Sequence, residues 1–210
     1  MGQVRNINQH SLAGLIEEQG GDLLDYGVVA DDRAALGAVM RDALKAADLL
    51  LLSGGSSVGA RDITLEAIMA LPEAKIYFHG ISVSPGKPTI FASAGGKPVL
   101  GLPGYPVSAL VIFDLFAAPL MRKLGGESQN TAGYMRQTTR ALLKTNIDSP
   151  SGREDYVRVT LSESNGCLYA SPLPNKSGAI FTLVKADGMV RIGLNQEGFE
   201  EGEEVEVIVF

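Results

Sequence analysis

Tryptophan is absent, cysteine occurs once and histidine twice, at His10 and His79. The lone thiol, Cys167, closes no internal disulfide, suits a reducing cytoplasm, and argues against zinc or iron–sulfur ligation. Neither histidine has a neighbouring ligand pair, so both read as structural or surface residues. Positive charge is also short, with 18 Lys and Arg against 24 Asp and Glu and a net charge of -6. That balance argues against non-specific nucleic-acid binding. Any anionic ligand must then be held by local loops and not by the field of the whole protein. No apolar run approaches the ~20 residues of a membrane span, and the opening Met-Gly-Gln-Val-Arg-Asn has no signal-peptide core. The expectation is a cytoplasmic chain with no membrane partner. Two familiar phosphate signatures are missing as well: no G-x-G-x-x-G opens a helix, and no G-K-[ST] follows a glycine loop.

What is present is a set of three loops. Residues 49–62, LLLLSGGSSVGARD, run from a leucine strand into a loop with Gly54, Gly55 and Gly59, then to Arg61 and Asp62 at the start of a helical pattern. Glycines at such a turn let a ligand approach outward-pointing N–H groups, which suits an anion, usually a phosphate. The alternative is an ordinary βα turn that needed glycine. Residues 82–88, SVSPGKP, follow a strand-like run at 75–81, and residues 101–109, GLPGYPVSA, follow another at 99–102. Three Gly/Pro/Ser loops at the ends of successive apolar strands belong on one rim of an α/β sheet, where such sheets bind ligands.

Along residues 1–125 helix and strand alternate. Leu12, Leu15 and Ile16 mark a helix over 10–20, and 23–29 reads as a strand. Asp31 and Asp32 open a helix with Leu36, Val39, Met40, Ala43 and Leu44 on one face. A fully buried strand follows at 49–52, a short helix at 63–70 and a hairpin of 89–92 with 98–102 around Gly95 and Gly96. Pro106 suits the first position of a helix running to Leu124, where Gly125 and Gly126 stop it. The alternation predicts a mostly parallel sheet with helices on both faces. Residues 126–135 read as a polar linker. Residues 136–210 carry short alternating strands at 156–161, 167–170, 188–192 and 205–210, the pattern of a small all-β barrel. The six glutamates between Glu197 and Glu206 read as a solvated face and turn.

SGGSSVGARD, SPGKP and GLPGYPVSA, in this order and at roughly this spacing, resemble the signature loops of the molybdopterin molybdenumtransferase family, and residues 153–210 resemble its small C-terminal β domain. The resemblance implies insertion of molybdate into adenylylated molybdopterin with release of AMP, with Mg²⁺ as cofactor, in a homodimer. It implies pterin and nucleotide contacts from Asn8, Ser53, Gly54, Gly55, Ser56, Ser57, Gly59, Pro85, Gly86, Pro103, Gly104, Tyr105, Pro106 and Ser108. Molybdate would meet Lys87, Pro88, an arginine that is Arg153 or Arg158, and Ser177. Asp62 would be catalytic, holding the metal or a water; read from the residues alone it could equally be a helix-start acid stabilised by the dipole. Lys87 could likewise be a solvated surface lysine, and Tyr105 either a stacking platform or a helix cap. Three positions depart from the family: Ser84 where lysine is frequent, Tyr105 where asparagine is usual, and Asn6 where an acid is usual. The family enzyme is about twice as long, with two further domains ahead of this region and a strand with an acidic loop opening the pterin domain. The expectation is therefore a C-terminal portion whose first sheet lacks a strand. Two alternatives stay open: the related pterin adenylyltransferase, and a non-catalytic molybdopterin-binding module.

Overall fold

The computed structural model describes residues 6–55, 62–127, 137–174 and 181–210. The chain divides into two compact units, one of residues 1–81 and 86–131, the other of 82–85 and 132–210. The short piece Ser82–Pro85 thus leaves the first unit and joins the second.

In the first unit, helix α1 (Ile7–Glu18) starts at Asn6, whose side chain accepts the Gln9 N–H. Helix α2 (Arg33–Ala46) is capped by Asp32, which accepts from Ala35 N–H, and buries Gly37, Met40 and Ala43. Strand β1 (Leu50–Ser53) follows, then α3 (Ile63–Met69) and β2 (Lys75–His79). Between β2 and the next sheet strand lies β3 (Val83–Ser84), which pairs with the second unit. The hairpin β4 (Ile90–Ala94) and β5 (Lys97–Leu102) then leads into α4 (Pro106–Ile112). A π-helical stretch, Phe113–Ala117, joins α4 to α5 (Ala118–Leu124). Pro106 does sit at the helix start. The core gathers Met40, Ile68, Ile90, Ala92 and Val99, each nearly or fully shielded from solvent.

Three expectations are corrected. The sheet order is β1-β5-β4-β2, and it is mixed: β1 runs parallel to β5, while β4 is antiparallel to both β5 and β2. Only one of the three pairings is parallel, because the hairpin inserts an opposed strand. Residues 23–29 form no strand; they pair with nothing among the described residues, and Gly27 within them has φ +70°. Strand β1 is half-buried, not fully buried, because it is the edge of the sheet.

In the second unit, five strands close on themselves. They are β6 (Thr138–Leu143), β8 (Glu154–Ser164), β9 (Cys167–Pro172), β10 (Gly188–Ile192) and β12 (Glu204–Val209), in the cyclic order β8-β10-β12-β6-β9. A small ribbon of β7 (Ile147–Asp148) and β11 (Gly198–Phe199) lies beside them, and α6 (Phe181–Lys185) is a single helical turn and a half that the alternating pattern did not announce. Closure removes free edges, which is how so small a β unit avoids open strands. Its interior is Val157, Val159, Ala170, Val190, Ile192 and Val207, with their neighbours.

The closure leaves no room at Gly188, which pairs with both Val159 and Val209. A Cβ there would lie 2.7 Å from Val207 Cγ1 and press on the Ile208 carbonyl. Gly188→Ala is expected to cost about 2 kcal/mol, as overpacking does, and to lower the Tm by roughly 10 °C in a thermal melt.

Arg191 holds Glu154 across the β10–β8 pair through Nη2 to Oε1 at 2.5 Å and Nε to Oε2 at 3.1 Å. The guanidinium hydrogen bonds pull the Glu154 carboxyl below its ordinary value. A carboxyl lowered on folding adds stability above its unfolded pKa, and that stability is lost as pH falls through the folded pKa. Arg191→Gln is therefore expected to flatten the loss of stability on acidification below about pH 4.3. Parallel acid denaturation of the two proteins checks it; equal slopes would mean the pair contributes nothing. Tyr156 beside this pair is pushed up to about 12, chiefly by burial, and stays neutral throughout that range.

Candidate functional site

Because β2 and β5 are each antiparallel to β4, and β1 is parallel to β5, the three strands β1, β2 and β5 point the same way. The loops that follow them therefore emerge at one rim of the sheet, as the sequence pattern required. The rim is tied together. Asn8 Nδ2, buried near the start of α1, donates to Ser53 Oγ at 2.6 Å and to the Gly104 carbonyl at 3.0 Å. Gly54 N–H donates to the Leu102 carbonyl at 3.3 Å. One side chain thus staples the ends of β1 and β5, 45 and 96 residues away in sequence.

Two glycines permit that approach. A Cβ on Gly104 would lie 3.4 Å from Gly54 Cα. Gly55 has φ +70° and a Cβ there would meet Thr64 Oγ1 at 2.5 Å, so a side chain would be both strained and blocked. Gly54, at φ +97°, has open space around its missing Cβ. Ser53 and Tyr105 face solvent, while Pro103 and Ser108 are buried. Tyr105 is the N-cap residue of α4, makes no side-chain capping bond and is a rim aromatic, 63% exposed.

Asp62 caps α3: its Oδ1 accepts the Leu65 N–H at 3.0 Å. Its Oδ2 is buried and makes no hydrogen bond, although it lies 3.1 Å from His79 Nε2 in ion-pair contact. His79, at the end of β2, is thus part of the site, which the sequence did not reveal. The two residues are distant in the chain, and only the pairing of β2 at the far side of the hairpin brings them together. His10, in contrast, is an exposed residue of α1. Among the described residues no group of three or more His, Cys, Asp or Glu could hold a metal ion.

On the third loop, Pro85 and Gly86 are buried and Lys87 is exposed. Thr89 Oγ1 donates to the Gly86 carbonyl at 2.6 Å, and Ile81 N–H to the Lys87 carbonyl at 3.0 Å. The lysine therefore leaves from a fixed backbone while its ammonium reaches solvent. Pro88 is half-buried beside it.

The second unit distinguishes the two arginines. Arg153 is exposed and engaged, with Nε 3.1 Å from Asp155 Oδ2. Arg158 is fully buried, and among the described residues only Nη2 is bonded, to the Pro174 carbonyl at 3.1 Å, while Nε and Nη1 have no partner there. Side chains alternate along a strand, so Arg158 points away from the barrel interior that Val157 and Val159 fill. Burial pulls its pKa below the usual arginine value. A buried cation with two unused donors costs stability unless it answers another need. Ser56, Ser57, Gly59 and Ser177 lie outside the described residues.

A mixed α/β domain with its glycine loops on one rim is thus followed by a closed five-strand barrel. Residues 1–123 match the family model described as a probable molybdopterin binding domain, and residues 140–210 match that of the MoeA C-terminal region, domain IV. The chain belongs to the molybdopterin molybdenumtransferase, or MoeA, family. It is 31% identical over 212 residues to the molybdopterin molybdenumtransferase of a Nostoc species, covering 99% of this chain and 48% of that protein. The crystal structure of a molybdopterin biosynthesis MoeA protein from Pyrococcus horikoshii superposes with a TM-score of 0.79 at 38% identity, covering 99% of this chain and 48% of that one. A molybdenum cofactor biosynthesis protein from Pyrococcus furiosus gives 0.76 at 27% identity, over 98% of this chain and 65% of that one. The chain spans about half the length of the curated relatives it matches. Among the described residues no helix is long and apolar enough to cross a membrane.

Proposed function

We propose that this chain acts in molybdenum cofactor biosynthesis, in the step that inserts molybdate into adenylylated molybdopterin and releases AMP. The observation that carries the reading is the stapled rim, where Asn8 draws Ser53 and Gly104 together. Backbone N–H groups of Gly55, Gly104 and Tyr105 would meet the phosphate, with Gly54 tying the turn to Leu102 and Ser56, Ser57 and Gly59 continuing the first loop. Ser53, Pro85, Gly86, Pro103, Pro106 and Ser108 shape the pterin and nucleotide surface, and the exposed Tyr105 ring offers a stacking face.

Lys87 is the first unit's cation for an oxyanion, with Pro88 stiffening its loop. In the second unit Arg158, not Arg153, is the better candidate, because its donors are unused while Arg153 is spent on Asp155. Ser177 completes that assignment. The Asp62 Oδ2 fits Mg²⁺, a hard cation that typically takes one or two carboxylates and fills its remaining positions with substrate phosphate and water. When bound, the ion would neutralise charge developing on the phosphoanhydride as it is cleaved. Asp62 itself orients that carboxylate through its cap bond, and the rim holds the pterin in place. A homodimeric, cytoplasmic enzyme with residues 1–125 and 136–210 as its working domains about a linker at 126–135 completes the proposal.

The test is molybdate-dependent release of AMP from adenylylated molybdopterin by this chain supplied with the N-terminal half that its relatives carry. AMP release that rises with molybdate supports insertion. Tight binding without turnover would favour the non-catalytic module, and adenylylation of molybdopterin would favour the adenylyltransferase.

A further inference from the structure

One of the chain's two histidines stands against the carboxylate that closes the first glycine loop. His79 is the last residue of β2, and its Nε2 lies 3.1 Å from Asp62 Oδ2. The two oxygens of Asp62 are held differently. Oδ1 serves the helix cap, accepting the Leu65 N–H at 3.0 Å. Oδ2 is shut off from solvent and has no hydrogen-bond partner among the described residues. The imidazole is the polar group that faces it. Their separation is that of a hydrogen bond and only the alignment falls short, a looseness common at catalytic pairs.

A single anchored oxygen leaves the plane of a carboxylate free to turn, and a second contact is what fixes it. A buried charge also costs stability unless a partner answers it. His79 is well placed to be that partner, because its own backbone is fixed. It pairs with Ile90 of β4, and the next two residues are bonded as well: Gly80 N–H donates to the Thr89 carbonyl at 2.8 Å and Ile81 N–H to the Lys87 carbonyl at 3.0 Å. The same bonds set the base of the third loop. The contact therefore ties the end of the first loop to the base of the third, as Asn8 ties Ser53 to Gly104. The His79 side chain is 32% exposed against 6% for Asp62, so the ring stands between the buried acid and solvent. Only a ring nitrogen that carries a proton answers a carboxylate, which assigns the proton of the neutral imidazole to Nε2.

We infer that His79 is a positioning residue for Asp62: its Nε2–H holds the Oδ2 side of the carboxylate, which the helix cap leaves free, and so keeps Asp62 in one orientation during the reaction. His79 itself touches no reacting atom. Its effect on turnover rests on the reaction proposed above, whereas the contact between ring and carboxylate stands apart from it.

The test reads the ring and the turnover separately. In a His10→Gln background only the His79 imidazole remains, and long-range proton–nitrogen correlation spectra report which ring nitrogen is protonated. At about pH 8.5, above the ordinary histidine range, the proton should sit on Nε2. Asp62→Asn, with its oxygen kept on the Leu65 N–H, turns an NH2 group to the ring and should move the proton to Nδ1 so that Nε2 accepts. A ring protonated on Nδ1 beside the native Asp62, or one whose tautomer ignores Asp62→Asn, would overturn the inference. In the complete enzyme, His79→Leu should lower kcat at least tenfold and leave KM for adenylylated molybdopterin unchanged, because orientation is lost and binding is not. His79→Gln, which keeps an N–H donor of similar reach, should recover most of that loss. An unchanged kcat in His79→Leu would overturn the inference, and so would a loss carried by KM alone or one that His79→Gln shares in full. If the wild-type enzyme releases no AMP, the proposed reaction fails, and the spectra alone decide whether His79 holds Asp62.

Discussion

Arg158→Met is expected to leave the second unit folded, with its Tm unchanged or raised, while abolishing capture of molybdate. The two halves of this expectation have separate causes. Arg158 is buried with Nε and Nη1 unbonded among the described residues, a desolvated cation that a methionine of similar reach would relieve. Only one bond, to the Pro174 carbonyl, is given up. An oxyanion held by two charge-assisted hydrogen bonds loses about 1.5–3 kcal/mol for each, so affinity should drop roughly a hundredfold or more. Equilibrium dialysis with labelled molybdate and a thermal melt read the two effects on one preparation. Arg153→Met is the companion: it removes the cation paired with the buried Asp155 carboxylate, so it should lower stability while leaving molybdate binding intact. Were Arg153→Met to abolish binding and Arg158→Met to spare it, the assignment of the oxyanion cation would be reversed.

The sequence offered both arginines without separating them. Alternation along β8 places Arg158 opposite Val157 and Val159, which can be read from the pattern, but the cover on that outer face comes from residues after β9. A side chain's solvent shell is a tertiary property, and local pattern does not contain it. The same reason hid His79. Its neighbour Asp62 was conspicuous after a glycine loop, whereas a histidine at the end of an ordinary strand carries no signal until β2 is placed in the sheet. The glycine and proline loops, in contrast, were legible because backbone conformation is a local demand. The φ angles at Gly54 and Gly55 are positive, and the Pro at the start of α4 sits where its missing N–H is harmless. Strand direction was read less well. Helix–strand alternation implied a parallel sheet, but the hairpin about Gly95 and Gly96, which was visible, already forced β4 to run against β5. Residues 23–29 illustrate the limit of strand patterns: their apolar content is right for a strand, and the ladder that would make them one needs a neighbour that the described residues do not supply.

Asp62→Asn is expected to separate the carboxylate's two employments. Asparagine keeps an Oδ1 that can accept the Leu65 N–H, and the two residue types cap helices about equally, so the Tm should move by no more than a degree or two. What is lost is the negative charge at the buried Oδ2, the oxygen that makes no hydrogen bond and lies 3.1 Å from His79 Nε2. Mg²⁺-dependent AMP release by the complete enzyme should therefore fall at least a hundredfold, about 2.7 kcal/mol of transition-state stabilisation. Asp62→Ala should add a structural cost of about 1 kcal/mol by removing the cap, with no further loss of turnover once stability is accounted for. The contrast between the two variants matters more than either alone. If Asp62 is only a helix-start acid, asparagine should behave like wild type in turnover and alanine should show just the capping loss. If it holds the metal, both should be inactive and only alanine should melt early. Raising Mg²⁺ should then recover activity in neither variant, because an asparagine that keeps its oxygen on the Leu65 N–H presents an NH2 group where Oδ2 stood.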